Sequence, residues 1–347
     1  MKTHANIPIF IPHEGCPNSC VFCNQKTITA TELSCDRDIV PEIENALETI
    51  PNGVETQIAF FGGSFTGLSK EKIIKLCDTA YSYVKSGRVT SIRLSTRPDY
   101  INPEILDILS ERGVTNIELG IQSMVQKVLN ASKRGHTVTD TQNACRMITE
   151  RGFILGGQMM IGLPCSTIED EIHTAKKIVE MGCLEARIYP CVVFENTELC
   201  SLAKQGDYLP LSIEDAITRG AEVLKVFKEA KINVLRIGLQ AQENMNDSSL
   251  VYAGANHPSL GEMIEARYCL NKILDSFDYI IGLSQKDKRN ILYIHCAKSD
   301  VSKVSGNNKQ NKNILLEKLE KYGYCDIKII GKDDYEKGTL SYSAKSI

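Results

Sequence analysis

Between residues 7 and 239, short apolar runs and amphipathic stretches take turns, and no other feature of the sequence constrains the fold as strongly. The apolar runs fall at 7–11, 57–61, 91–95, 116–119, 154–161, 185–193 and 234–237, each of strand length. Between them lie helix-length stretches at 40–49, 70–84, 104–111, 140–151, 166–181 and 212–228. In the second of these, Ile73, Leu76, Cys77 and Ala80 recur at helical spacing and mark one buried face. Gly62-Gly63, Pro98, Gly113, Gly152 and Gly162-Leu163-Pro164 punctuate the junctions. Strands that alternate with helices pair in parallel, because a helix carries the chain back across the sheet. The pattern therefore predicts an α/β fold of six or seven βα units, a full or partial TIM-type (β/α)6 barrel. In such barrels chemistry gathers at the C-terminal ends of the strands.

The rhythm changes after residue 242. A polar run, Asn244 to Ser249, leads into shorter elements: helices at 260–275 and 311–322, and strands at 279–282, 291–295 and 325–330. Charge changes too. Residues 285–347 carry 13 Lys and Arg against 8 Asp and Glu, whereas the chain as a whole has a net charge of −3. The expected organisation is a barrel over residues 1–242 and a small basic α+β extension over 243–347. The overall charge gives no general affinity for nucleic acid or acidic membranes, although a local basic face remains. No stretch reaches the roughly 18 apolar residues of a membrane span, and Pro8 and Pro12 interrupt the one early apolar run. The chain is therefore expected to be cytoplasmic, with no membrane partner.

A cytoplasmic chain with 13 cysteines needs a reason for them. Ten are scattered with no CxxC pair, and most of them read as buried apolar thiols. The other three, Cys16, Cys20 and Cys23, share one loop after the first strand, at the end of the sheet where chemistry is expected. Four ligands close a structural zinc site or a fully ligated cluster. Three thiolates on a short loop suit instead a [4Fe-4S] cluster with one open iron. A zinc site completed from elsewhere stays open on this evidence alone.

Other strand ends are unusual as well. Gly62-Gly63-Ser64-Phe65 lets backbone approach a ligand, or makes a tight turn. Ser95-Thr96-Arg97-Pro98-Asp99 offers hydroxyls and a guanidinium, or a cap for the next turn. Glu118 and Gln122 in the fourth strand, and Gln158 in the fifth, are polar groups in apolar surroundings that require partners or a ligand.

Taken in order, these runs resemble the radical S-adenosylmethionine (SAM) superfamily, and within it the radical SAM half of the Elongator catalytic subunit, the Elp3-like group. The resemblance is carried by CxxxCxxC with Phe22 before its third cysteine, Phe61-Gly62-Gly63-Ser64-Phe65, Thr96-Arg97-Pro98-Asp99-Tyr100 and Glu118-Leu119-Gly120-Ile121-Gln122-Ser123. It continues through Arg134-Gly135-His136-Thr137, Met159-Met160-Ile161-Gly162-Leu163-Pro164, Ala186-Arg187-Ile188-Tyr189-Pro190 and Thr197-Glu198-Leu199. It implies that Cys16, Cys20 and Cys23 hold a [4Fe-4S] cluster whose fourth iron is chelated by SAM. Phe22 would pack near the adenine, flanked by Ile161 and Gly162. Gly62, Gly63, Ser64 and Phe65 would face the SAM ammonium, Arg134 its carboxylate, and Gln122, Gln158 and Ser95 its ribose. The reaction implied is reductive cleavage of SAM to a 5′-deoxyadenosyl radical, with the electron coming from a flavodoxin- or ferredoxin-type donor.

Three departures from the Elp3 pattern bear on the substrate. The first cysteine gap is shorter here, Ser95 replaces a Glu, and no stretch of these residues resembles the acetyltransferase domain. The expected substrate class is RNA of the tRNA kind, by resemblance and by the basic extension. Within that extension Ser305-Gly306-Asn307-Asn308-Lys309 resembles the nucleotide-clamping loop of KH-type RNA binders, without its second glycine. A solvated basic face is the plainer reading. The alternatives are radical chemistry on a small metabolite or peptide, and a non-catalytic zinc or iron–sulfur module.

Overall fold

The computed structural model describes residues 4–11, 16, 20–24, 36–239, 250–285 and 288–347. It divides into two compact units, one of residues 1–212 with 226–256, the other of residues 213–225 with 257–347. The boundary expected at 242/243 and the polar run at 244–249 lie outside the described residues.

In the first unit seven parallel strands form one sheet: β1 (His4–Ile11), β2 (Glu55–Gly62), β3 (Ser91–Thr96), β4 (Val114–Gln122), β5 (Ile154–Ile161), β6 (Glu185–Pro190) and β8 (Asn233–Ile237). They pair in that order, and among the described residues no pairing joins β1 to β8. The barrel is therefore partial, with two free edges. A short antiparallel ribbon, β7 (Val193–Phe194) with β9 (Val251–Ala253), follows β6.

Side chains alternate across a strand, and here the alternation sorts them sharply. One face carries Ile58, Phe60, Ile92, Leu94, Ile117, Leu119, Leu155 and Ile188, all essentially inaccessible to solvent. It packs against helices such as Lys70–Lys85, whose Ile73, Leu76, Cys77 and Ala80 are buried. Gly157 shows how close the layers come: a Cβ there would stand 2.8 Å from Ile178 in the helix Ile168–Glu180. The other face carries Gln57, Arg93, Asn116, Glu118 and Arg187, also buried but bonded to one another. The inside of this half-barrel is polar.

The second unit has a three-stranded sheet in the order β11 (Tyr324–Lys332), β10 (Asn290–Ala297), β12 (Leu340–Ser346). β10 runs parallel to β11 and antiparallel to β12. Leu292, Ile294, Leu315, Leu319 and Tyr324 are among its core residues. The segment expected as a strand at 279–282 is instead the helix Phe277–Gly282. A four-residue apolar run fits either conformation. Here the helix buries Ile280, exposes Tyr279, and lets the Tyr324 hydroxyl donate to the Ile280 carbonyl at 2.6 Å. No described helix is long and apolar enough to cross a membrane.

Candidate active site at the C-terminal strand ends

Cys16, Cys20 and Cys23 line one cavity with Phe22, at the C-terminal ends of β2 to β5. Two backbone bonds hold the cysteine loop: Val21 N donates to Ser132 O at 3.2 Å, and Leu199 N to Val21 O at 2.9 Å. Val21 is also buried against Val128, Leu163, Val193 and Leu199. The Thr197 hydroxyl caps the helix Glu198–Gln205, which sets Leu199 in place. The sequence run Thr197-Glu198-Leu199 thus buttresses the thiols from outside the cavity.

Behind β2, Gly62 turns with φ +108°, and Gly63 N donates to Ile11 O at 2.8 Å. A Cβ on Gly62 would meet that carbonyl at 2.6 Å, so the turn requires glycine. The Thr96 hydroxyl lies 2.9 Å from the Ser64 hydroxyl and 2.6 Å from that of Thr66, tying this turn to the end of β3.

Two guanidinium groups face the thiols. Arg134 donates through Nη1 to Cys20 Sγ at 3.4 Å and through Nη2 to Gly120 O at 3.0 Å. Its buried Nε has no partner among the described residues. Arg97 is gripped through Nε and Nη2 by Asp99, both at 2.9 Å, and donates to Arg134 O at 2.7 Å. Its Nη1 is buried and likewise unpartnered. Gln122, at the end of β4 with φ +63°, has a buried, unpartnered Oε1. Burial pushes the Cys16 thiol up, while the Ser64 backbone hydrogen bond and the Arg134 and Arg97 charges pull it down without fully offsetting that effect. The thiol is therefore protonated until a metal displaces the proton.

Gly62, Gly63, Ser64, Ser95, Gln122, Arg134 and Gln158 line the same cavity. Three expected residues do not. Phe65 is fully buried and stacks on Phe60 at 4.6 Å between centroids. Ile161 is buried. Gly162 donates its N–H to Glu171 at 2.6 Å and accepts from the Tyr208 hydroxyl at 2.6 Å. Thr96, Arg97 and Gly120 line the cavity although the sequence-based site set omits them. Gly120 left a visible signal, a glycine breaking an otherwise bulky strand. A Cβ there would stand 2.8 Å from Arg134 Nη2.

No three His, Cys, Asp or Glu side chains among the described residues converge on a single ion position. A cluster does not require it, since each thiolate takes its own iron. Three thiols opposed by two incompletely satisfied guanidiniums form a donor set that fits a negatively charged iron–sulfur cluster with an anionic ligand.

Comparisons with known proteins agree. The Radical SAM superfamily matches residues 10–178, and the Radical_SAM C-terminal domain matches residues 185–269. The chain belongs to the radical SAM superfamily. That membership makes it an enzyme and implies SAM and an iron–sulfur cluster. It is 30% identical over 199 residues to a tRNA uridine(34) acetyltransferase of Methanocaldococcus jannaschii, covering 56% of this chain and 35% of that protein. It is 31% identical over 222 residues to an uncharacterized protein of the same archaeon, covering 62% and 65%. To Elongator complex protein 3 of Saccharomyces cerevisiae it is 29% identical over 190 residues, covering 49% and 34%. The match thus spans about a third of each of these two relatives with a named activity or complex. A solved archaeal Elp3 from Methanocaldococcus infernus superposes with a TM-score of 0.60 at 23% identity, covering 79% of this chain and 64% of that one. This likeness bears on the fold.

Proposed function

We propose that this radical SAM enzyme uses a [4Fe-4S] cluster held by Cys16, Cys20 and Cys23, and that it modifies RNA of the tRNA kind. One observation carries the first part. The three thiols share a cavity with Arg97 and Arg134, each of which has a buried guanidinium nitrogen without a partner among the described residues. A buried unsatisfied donor is costly, and an anionic ligand beside the thiols removes that cost. When bound, the cluster would supply one electron for the reductive cleavage of SAM, and SAM would supply the 5′-deoxyadenosyl group.

The chain's own residues bind and orient. Arg134 neutralises charge beside Cys20, where a planar, permanently charged group serves better than Lys. The turn at Gly62–Ser64 offers backbone groups to the SAM ammonium. Gln122 and Gln158, which line the cavity from β4 and β5, would face the ribose, and Phe22 would pack near the adenine. An electron donor of flavodoxin or ferredoxin type would reduce the cluster. The tRNA reading is supported by the name of one relative, a tRNA uridine(34) acetyltransferase, and by the excess of 13 Lys and Arg over 8 Asp and Glu in residues 285–347.

Anaerobic reconstitution with iron and sulfide tests the cluster. The expected product is a brown protein that forms 5′-deoxyadenosine from SAM only with dithionite, and Cys20→Ser loses both properties. A colourless, zinc-loaded protein without that product would overturn the reading. For the substrate, modified nucleosides are compared between tRNA from cells with and without the gene. Lys309 and Lys318 are exposed and pair with no described acidic residue, unlike Lys312, which is held by Asp326. Reversing both charges should weaken tRNA binding. If binding is unchanged, the basic segment 285–347 has no part in it, and an unaltered nucleoside profile would favour a metabolite or peptide substrate.

A further inference from the structure

Glu118 stands at the centre of a buried charge network that the sequence-based site does not use. It accepts from Arg187 Nε at 2.5 Å and Nη2 at 3.0 Å, and its Oε1 lies 3.3 Å from Arg93 Nε. Arg93 in turn pairs with Glu185. Gly156, opposite on β5, leaves the room this needs: a Cβ there would stand 3.0 Å from Glu118 Cγ. Burial pushes the Glu118 carboxyl up, but the Arg187 hydrogen bonds and the Arg187 and Arg93 charges outweigh it and hold it below the ordinary value. It is therefore ionised and can only accept hydrogen bonds.

That fact settles the orientation of an amide. The Gln158 side chain touches Glu118 Oε2 at 2.9 Å and Ser95 Oγ at 3.0 Å. The atom facing a carboxylate must be the amide nitrogen, since an amide oxygen has no hydrogen to give. Both of its hydrogens are then spent, one on Glu118 and one on Ser95. The amide oxygen makes no hydrogen bond among the described residues, and Gln158 and Ser95 line the cavity beside the thiols.

We propose that Glu118 is a positioning residue which, braced by Arg187 and Arg93, locks the Gln158 amide with its nitrogen inward and its oxygen toward the ligand. That wall of the site then accepts a hydrogen bond from a ribose hydroxyl. A free amide would offer donor or acceptor equally, whereas the locked one rejects a ligand that presents only acceptors there. This rests on the reading that Gln158 faces SAM.

The test is calorimetric binding of S-adenosylhomocysteine to reconstituted protein across a pH series, with iron content and thermal melting as controls for folding. Glu118→Gln frees the amide to flip, and affinity should fall about tenfold, the scale of one lost hydrogen bond, with cluster content unchanged. Because that variant also removes the carboxylate that Arg187 holds and one of the two that Arg93 meets, Gln158→Glu is the second arm and leaves the network intact. Its new carboxyl would sit against Glu118, among Arg93, Glu185, Arg187 and Tyr189, and two carboxylates this close share a proton. When that carboxyl is protonated it donates to Glu118 and turns its other oxygen to the ligand, as the amide does. Its affinity should therefore be low at alkaline pH and recover toward wild type as the pH falls, a response that a purely structural residue would not produce. Wild-type affinity in both variants at every pH, or no recovery on acidification, would overturn the inference. If the unaltered protein fails to bind the probe at all, the SAM reading of the site has failed instead.

Discussion

At the scale of single residues, two glycines beside the thiols serve different ends. Gly120 has no positive φ, and what a methyl group would meet is the far end of Arg134, at 2.8 Å, and Gln122 Nε2 at 3.1 Å. Those side chains can yield, so Gly120→Ala should cost little stability, about 1 kcal/mol or less by the usual scale for mild overpacking. It should nevertheless weaken binding of S-adenosylhomocysteine about tenfold, because the guanidinium is pushed from its place beside Cys20. Calorimetry and a thermal melt separate the two effects. At Gly62 the obstacle is the Ile11 carbonyl, at 2.6 Å, with φ at +108°. Gly62→Ala should therefore lower the melting temperature itself, by a strain of about 1–3 kcal/mol. In the sequence both appear as glycines in or at the end of a strand, a signal that something comes close but not what. Only the neighbours reveal that one protects a site and the other a turn.

At the scale of elements, two of the helices that follow the site strands are started by reciprocal side-chain caps. Thr137 and Thr167 each form a capping box with the aspartate three residues on, Asp140 and Asp170. Thr167 opens the helix Ile168–Glu180, whose Glu171 holds the Gly162 N–H. Thr167→Ala should cost about 1 kcal/mol, read as a lower denaturant midpoint with an unchanged slope. A threonine three residues ahead of an aspartate is a local pattern, and like the strand periodicity it is legible in the sequence. Two kinds of element are not. The run at 279–282 reads as a strand and is part of a helix, because its four residues satisfy both periods and only the burial of Ile280 decides. The final strand Leu340–Ser346 carries little apolar signal, because its alternation is of small and polar residues. It becomes a strand through its pairing with Asn290–Ala297.

At the scale of the whole molecule, stability should depend on pH through His136. This imidazole is buried, and burial together with the Arg134 and Arg97 charges pushes it down to about 4 from an ordinary 6.5. The folded protein thus favours the neutral ring, while the unfolded chain takes up a proton below about pH 6.5. Stability is fully present above that value and is lost as pH falls from about 6.5 to 4. Urea unfolding at pH 7 and pH 5 should show the loss, and His136→Gln should reduce the difference between them. An equal difference in the variant would assign the loss to the paired carboxylates instead. The arginines that depress His136 are those facing the thiols, so this acid sensitivity is a consequence of concentrating positive charge around a cluster site.

The order of amino acids was enough for the strand–helix succession, the parallel sheet it implies, the cysteine spacing and the superfamily. Period, glycine placement and ligand spacing are local properties of a chain, and they survive without knowledge of its partners. Which polar groups meet depended on the folded chain. Folding joined Gln158 to Glu118 and Ser95, and Glu118 to Arg187, across four strands, brought Arg97 into the cavity wall, and left Phe65, Ile161 and Gly162 off it. Such contacts depend on sheet register and side-chain direction across strands far apart in sequence, and the order of residues along one strand does not encode them.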